Sequence, residues 1–184
     1  GTKSYICTGS LVNNTAQDLK PYVLTAMHCS TEKNTEASDE NMKQWVFYFH
    51  MEQSGCSTSS PAVGSKTLTG CKRMAYTLTN GQSDGLLLLL NTPVPENYNV
   101  YYNGWDRRNR PPRSGVCIHH PKGDYKKIST YSKPGTHSTF VSDNDLKGDM
   151  HAHWNVTFSK TRNGHGVTED GSSGSPLFNT DKLI

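Results

Sequence analysis

The chain has 184 residues, of which 33% are apolar and 19% charged, and its net charge is +3. That length suits one domain or two small ones. The shortage of apolar and charged residues is made up by Ser, Thr, Asn and Gly, which argues for a loop-rich, mostly β protein and against helical bundles, coiled coils or charged disordered chains. The basic residues are scattered with no stripe to track a phosphate backbone, so no nucleic acid partner is expected. The longest apolar run, Leu86 to Leu90, has the length of a strand, so no membrane insertion is expected either.

In chain order, stretches rich in β-branched and aromatic residues and bounded by Gly, Pro, Asn and Ser predict strands at 4–12, 22–26, 45–50, 74–79, 86–90, 116–119, 127–130, 139–141, 153–158 and 175–178. Residues 31–43 have some helical character but are polar enough for a loop. Residues 97–114, with Pro111-Pro112 near their end, read as a linker between two halves. Many short strands separated by turns suggest a sandwich or a barrel. The chain opens at Gly1 without a signal peptide, as a mature or truncated product would. The five cysteines form no C-x-x-C pair, which removes the commonest zinc and thioredoxin-like readings and favours disulfides in an oxidising compartment. An odd number leaves at least one without an internal partner.

Three segments carry chemistry. Gly171-Ser172-Ser173-Gly174-Ser175-Pro176 offers a serine on a tight turn, with glycines that permit close backbone approach and amides able to converge on an oxyanion. Its blander reading is an ordinary polar turn. His28 follows a predicted strand and precedes Cys29, which suits a general base, although a lone histidine is more often structural. Asp84 stands at the mouth of the five-leucine strand, where a partly desolvated carboxylate needs a partner such as a histidine N–H; a solvated turn before Gly85 is the alternative. The order His28, Asp84, Ser173 along the chain decides among these readings, because it is the chymotrypsin-type order of the Ser-His-Asp triad.

Thr25-Ala26-Met27-His28-Cys29, Ser83-Asp84 and the serine motif resemble the trypsin-like serine proteases, and the nearer likeness is to the bacterial lysyl endopeptidases. Residues 7–15, Gly104-Trp105-Asp106-Arg107-Arg108, Ile118-His119-His120-Pro121 and Gly166-Val167-Thr168-Glu169 resemble that group in order and spacing, so the likeness covers essentially the whole chain. It implies an all-β fold of two six-stranded antiparallel Greek-key barrels. Residues 1–100 would form the first barrel with His28 and Asp84, and 101–184 the linker and an incomplete second barrel with Ser173. The implied activity is that of a secreted, monomeric serine endopeptidase acting on polypeptides without a cofactor, with lysine preferred on the acyl side of the scissile bond. His28 would be the base, Asp84 its orienting partner and Ser173 the nucleophile, with the N–H groups of Gly171 and Ser173 as oxyanion hole. A Cys7–Cys29 bridge also matches the family, and closing a loop of that length contributes about 3 kcal/mol.

The chain departs from its relatives in several places. Ser172 stands where trypsin-like enzymes carry the Asp that pairs with a freed amino terminus, so that activation switch should be absent; the lysyl endopeptidases share the serine. Asp143 follows Thr139-Phe140-Val141-Ser142 where they carry a cleft-lining tryptophan. The chain stops at Ile184, short of the strands that build their specificity pocket, and is expected to be a fragment of a longer protease. Cys56 and Cys71 flank a Ser/Gly-rich loop and are a candidate pair, although the likeness also allows Cys56 a partner upstream; Cys117 has none in view. His151 and His153 could converge on one strand face, but no third metal ligand is evident, so no metal is expected. His119-His120-Pro121 reads as a structural strand end, and Arg107, Arg108, Arg110 and Arg113 as a solvated loop. The competing functional class is a catalytically silent binding module on the same fold.

Overall fold

The computed structural model describes residues 5–33, 35–57, 59–142 and 147–184. Ser4 of the first predicted strand and Asp143 lie outside these residues.

The five leucines organise the first half. The strand Gly85–Leu90 pairs antiparallel with Tyr22–Ala26 on one side and Cys71–Tyr76 on the other, and Ser10–Val12 adds to the far edge of Tyr22–Ala26. A central strand is flanked by neighbours on both edges, which is why an almost wholly apolar run is tolerated there. Leu86, Leu88 and Leu90 alternate inward and are essentially inaccessible to water. They join Leu11, Val23, Met27, Met42 and Cys71 in the main core, with Trp45, Phe47, Phe49 and Leu68 packed around it. The short helix Asp39–Met42, capped by the Ser38 side chain, delivers Met42 to this core; it is the helical part of the polar stretch 31–43, which also contains the paired strands Thr31–Glu32 and Thr35–Glu36.

The second half is built on a three-stranded antiparallel sheet, in the order Lys127–Tyr131, Gly115–His119, Leu177–Asn179. Its interior is more polar: Cys117 and Tyr131 are buried beside His119, Ser129 and Ser172. Gly115 is obligatory in this sheet, because a Cβ there would lie 1.8 Å from the carbonyl oxygen of Phe178. The remaining strands form two-stranded pairs, Val46–Phe49 with Lys66–Thr69, Thr136–Ser138 with His153–Asn155, and two hairpins of two-residue strands.

The architecture is thus mostly β and antiparallel. Hydrogen-bonded pairing among the described residues makes one four-stranded sheet, one three-stranded sheet and separate pairs, without closing two six-stranded barrels. The ladders end early because the strands are short and irregular. Cys71–Tyr76 carries a bulge between Arg73 and Ala75, and beside the Val46–Phe49 pair the Gly70 N–H donates to Trp45 while its carbonyl accepts from Asn91.

Most predicted strands are present with shifted ends. The strand expected at 74–79 begins at Cys71 and ends at Tyr76; the Thr77 N–H still donates to the Gly85 carbonyl and the Leu78 carbonyl accepts from Asp84, and the chain turns back at 79–82. The strand expected at 139–141 is replaced by Thr136–Ser138, because the partner register sets Thr136 opposite Asn155 and stacks His137 edge-on against Trp154. Lys66–Thr69 is a strand the sequence pattern did not single out. His151 precedes the strand His153–Asn155 with a positive φ, so the two histidines do not share a strand face.

Candidate active site

The Tyr22–Ala26 strand runs into a single 3-10 turn, Met27–Ser30, that carries His28. Asp84 stands at the entrance of the neighbouring strand, and register pairs Ala26 with Gly85 across the gap. Adjacent strands of one sheet therefore bring residues 56 apart in sequence into contact. The Asp84 carboxylate holds His28 twice: Oδ2 lies 2.5 Å from Nδ1 of the ring, and Oδ1 accepts the backbone N–H at 2.9 Å. The Met27 N–H donates to the Asp84 carbonyl at 2.9 Å, and the Thr79 hydroxyl donates to Oδ1 at 2.7 Å.

Asp84 has φ +59°, an uncommon conformation for a non-glycine residue, and it turns the side chain toward His28. Burial pushes its carboxyl up, but the hydrogen bonds from His28 and Thr79 outweigh burial and hold it below the usual range. The bond to Asp84 raises the His28 pKa against the opposing effect of burial. The imidazole side chain keeps 46% of its accessible surface, so its far edge faces solvent.

Ser173 arrives from the second half on a turn that is fastened to the first. Its carbonyl accepts the Thr8 N–H at 2.8 Å and lies 3.9 Å from the Cys29 sulfur. Cys29 is bonded to Cys7, so the disulfide sits between the histidine turn and the serine turn. Gly174 is pressed against the histidine strand; a Cβ there would come within 2.1 Å of Thr25 Oγ1 and 2.7 Å of the Ala26 nitrogen. The Ser173 hydroxyl forms no hydrogen bond to His28 in this state, so of the three expected residues the histidine and aspartate touch and the serine is held beside them.

Peptide orientation in the turn is set by the carbonyls. Asp170 accepts the Lys122 N–H at 2.5 Å, and Ser172 accepts the Ser175 N–H at 3.0 Å. In a trans peptide the N–H points opposite the carbonyl. The Gly171 and Ser173 N–H groups are therefore directed away from these anchors, and neither has an acceptor among the described residues. Gly171 has φ +92°, and the Thr8 hydroxyl donates to its carbonyl at 2.7 Å. Thr8 thus ties both ends of the turn from the residue next to Cys7. An open cavity of about 350 Å³ lined by Thr168, Glu169, Asp170, Ser172 and Ser173 adjoins the turn. Glu169 pairs with Lys122 at 3.0 Å at its edge.

The candidate Cys56–Cys71 pairing is not formed. Cys71 is buried in the core with its sulfur 3.7 Å from the Met42 carbonyl, whereas Cys56 is exposed in its loop. Cys117 is also a free, buried thiol, against the Ser175 hydroxyl. No cluster of three or more potential metal ligands occurs among the described residues. Thr8, Thr79 and the Lys122 amide were not legible as site residues, since isolated threonines and backbone donors carry no motif.

The sequence profile of the lysyl endopeptidase C-terminal domain matches residues 1–184. A lysyl endopeptidase of Pseudomonas aeruginosa is 30% identical over 176 residues; the match covers 95% of this chain, which spans 34% of that protein's length. Among solved structures, a mutant of human heparin binding protein (CAP37) superposes with a TM-score of 0.56 at 15% identity, over 98% of this chain and 72% of the other, a match to the trypsin fold. With its profile matched over all 184 residues, the chain belongs to the lysyl endopeptidase C-terminal domain family.

Proposed function

We propose that this chain carries the catalytic residues of a secreted serine endopeptidase. The observation that supports the reading most is the two-point grip of Asp84 on His28 beside the turn bearing Ser173. His28 takes the hydroxyl proton of Ser173 through its exposed Nε2 as Ser173 attacks the substrate carbonyl. Asp84 holds Nδ1, fixes the tautomer and stabilises the imidazolium. The oxyanion of the tetrahedral intermediate is met by the Gly171 and Ser173 N–H groups, which are directed away from the Lys122 and Ser175 amides that hold the adjoining carbonyls. The imidazolium then protonates the leaving amine, leaving an acyl-enzyme that water, activated by the same histidine, hydrolyses.

Residues 1–100 and 101–184 act as two β-barrel halves meeting at this groove. A preference for lysine on the acyl side rests on family membership; Asp170 lines the adjoining cavity and suits a cationic side chain, while the Glu169 carboxylate is already paired with Lys122. The disulfide fits an extracellular setting.

A second reading, a catalytically silent module on the same fold, draws on the missing contact between His28 and the Ser173 hydroxyl. Catalytic hydrogen bonds are often long without substrate, which weakens that objection. A fluorophosphonate probe separates the two readings. Labelling of Ser173 that disappears in Ser173→Ala requires an activated nucleophile, and a full-length protein that stays unlabelled supports the silent module.

A further inference from the structure

His119 lies outside the groove and takes no part in the chemistry described above. It is among the most buried side chains of the molecule, 1% accessible, yet it is polar. Its ring joins two buried hydroxyls: Nδ1 lies 2.8 Å from Ser172 Oγ, and Nε2 lies 2.9 Å from Ser129 Oγ. Ser172 immediately precedes the nucleophile. Its oxygen also accepts the Glu169 N–H at 3.3 Å, and its own N–H returns to the Glu169 carbonyl at 2.9 Å. On the other side of the ring, Ser129 is packed against Gly166, where a Cβ would fall 2.4 Å from Ser129 Oγ. The network thus grips the oxyanion segment at both ends, at Gly166 and at Ser172.

We propose that His119 is a positioning residue that locks the segment 166–173 through Ser172, and so sets the direction of the Ser173 N–H group. This role rests on the reading of the turn as an oxyanion hole. The peptide that follows Ser172 carries the Ser173 N–H, so a shift of the Ser172 backbone redirects that group. In the described structure nothing else holds that side chain: its hydroxyl has only His119 and the Glu169 N–H as partners. A neutral imidazole offers one donor and one acceptor, which matches two hydroxyl partners in either tautomer. Burial, assisted by His120, lowers its pKa and so favours the neutral ring. An apolar side chain would fill the space equally well but would leave Ser172 and Ser129 unpaired and free to rotate, so the network specifies direction rather than merely filling volume.

The two ring nitrogens can be tested separately in the full-length protein. The amide of asparagine reaches about where Nδ1 stands, and that of glutamine about where Nε2 stands. His119→Phe should lower kcat on the order of 100-fold, the size of effect that an ångström-scale misplacement of reacting groups produces. His119→Asn, which keeps the Ser172 contact, should recover most of that loss, and His119→Gln, which keeps only the Ser129 contact, should not. Amide hydrogen exchange over residues 168–176, read by mass spectrometry, should quicken at least about tenfold in His119→Phe and in Ser172→Ala. Unchanged exchange in both variants, or equal recovery by Asn and Gln, overturns the proposal. Should the wild type prove unable to hydrolyse peptides, the protease reading falls while the exchange measurement still decides whether His119 holds the turn. Should His119→Phe fail to fold, Ser172→Ala reports on the same bond from its other end.

Discussion

One carboxylate of Asp84 serves both the ring and the backbone of His28, with Oδ2 2.5 Å from Nδ1 and Oδ1 2.9 Å from the amide nitrogen. A ring bond alone would leave the imidazole free to pivot about its Cα. Fastening the amide as well fixes the turn from which the ring projects, so orientation and tautomer come from a single side chain.

Asp84→Asn separates charge from shape. Asparagine tolerates the positive φ at this position, so the fold should persist, as the near-ultraviolet circular dichroism should show. The amide can keep the backbone bond but cannot stabilise an imidazolium. We expect kcat toward a peptide substrate to fall on the order of 10⁴-fold, the size seen for the equivalent change in this class of triad.

The pH profile follows from the same pair. The raised His28 pKa means that its base form is lost as pH falls through a value above 6.5, so kcat/KM should fall on the acid side with an inflection above that value. Asp84→Asn should move the inflection downward, and an unmoved inflection contradicts the pairing. For stability, the His28 contribution is fully present below about 6.5 and lost as pH rises through its raised value. The Asp84 contribution is present above about 3.8 and lost as pH falls through its lowered value. Urea titrations across pH should show both limbs.

Gly174→Ala should be strongly destabilising. The new methyl would meet Thr25 Oγ1 at 2.1 Å, the Thr8 carbonyl at 2.5 Å and the Ala26 nitrogen at 2.7 Å, at φ +78°. Two of these atoms are backbone and cannot step aside. A loss of at least about 2 kcal/mol is expected from strain and clash combined, measured by the urea midpoint.

Thiol counting tests the cysteine arrangement. Under native, non-reducing conditions only the exposed Cys56 should react with a thiol reagent, and unfolding without reductant should add Cys71 and Cys117. Burial pushes the Cys71 thiol up to about 11, which slows it further. Replacing Cys7 and Cys29 together by serine should cost about 3 kcal/mol and should lower activity as well, since Cys29 abuts the Ser173 carbonyl.

The motif residues stood out because their types and order are chemically specific: His28, Asp84 and Ser173 follow the chain order of one kind of Ser-His-Asp triad, and of the three the structure brings His28 and Asp84 into contact. The Gly85–Leu90 strand was legible for a related reason, since an apolar run of that length must be buried between neighbours. Tertiary packing alone decided that Cys71 points into the core away from Cys56, that strand pairing falls into separate short ladders, and that Thr8 bonds Gly171, Thr79 bonds Asp84 and His119 bonds Ser172. A threonine or a buried histidine takes its meaning from whichever group lies within hydrogen-bonding distance, and for these residues the partners are 163, 5 and 53 positions away. Local pattern carries which side chains can do chemistry; only the folded backbone determines which ones meet.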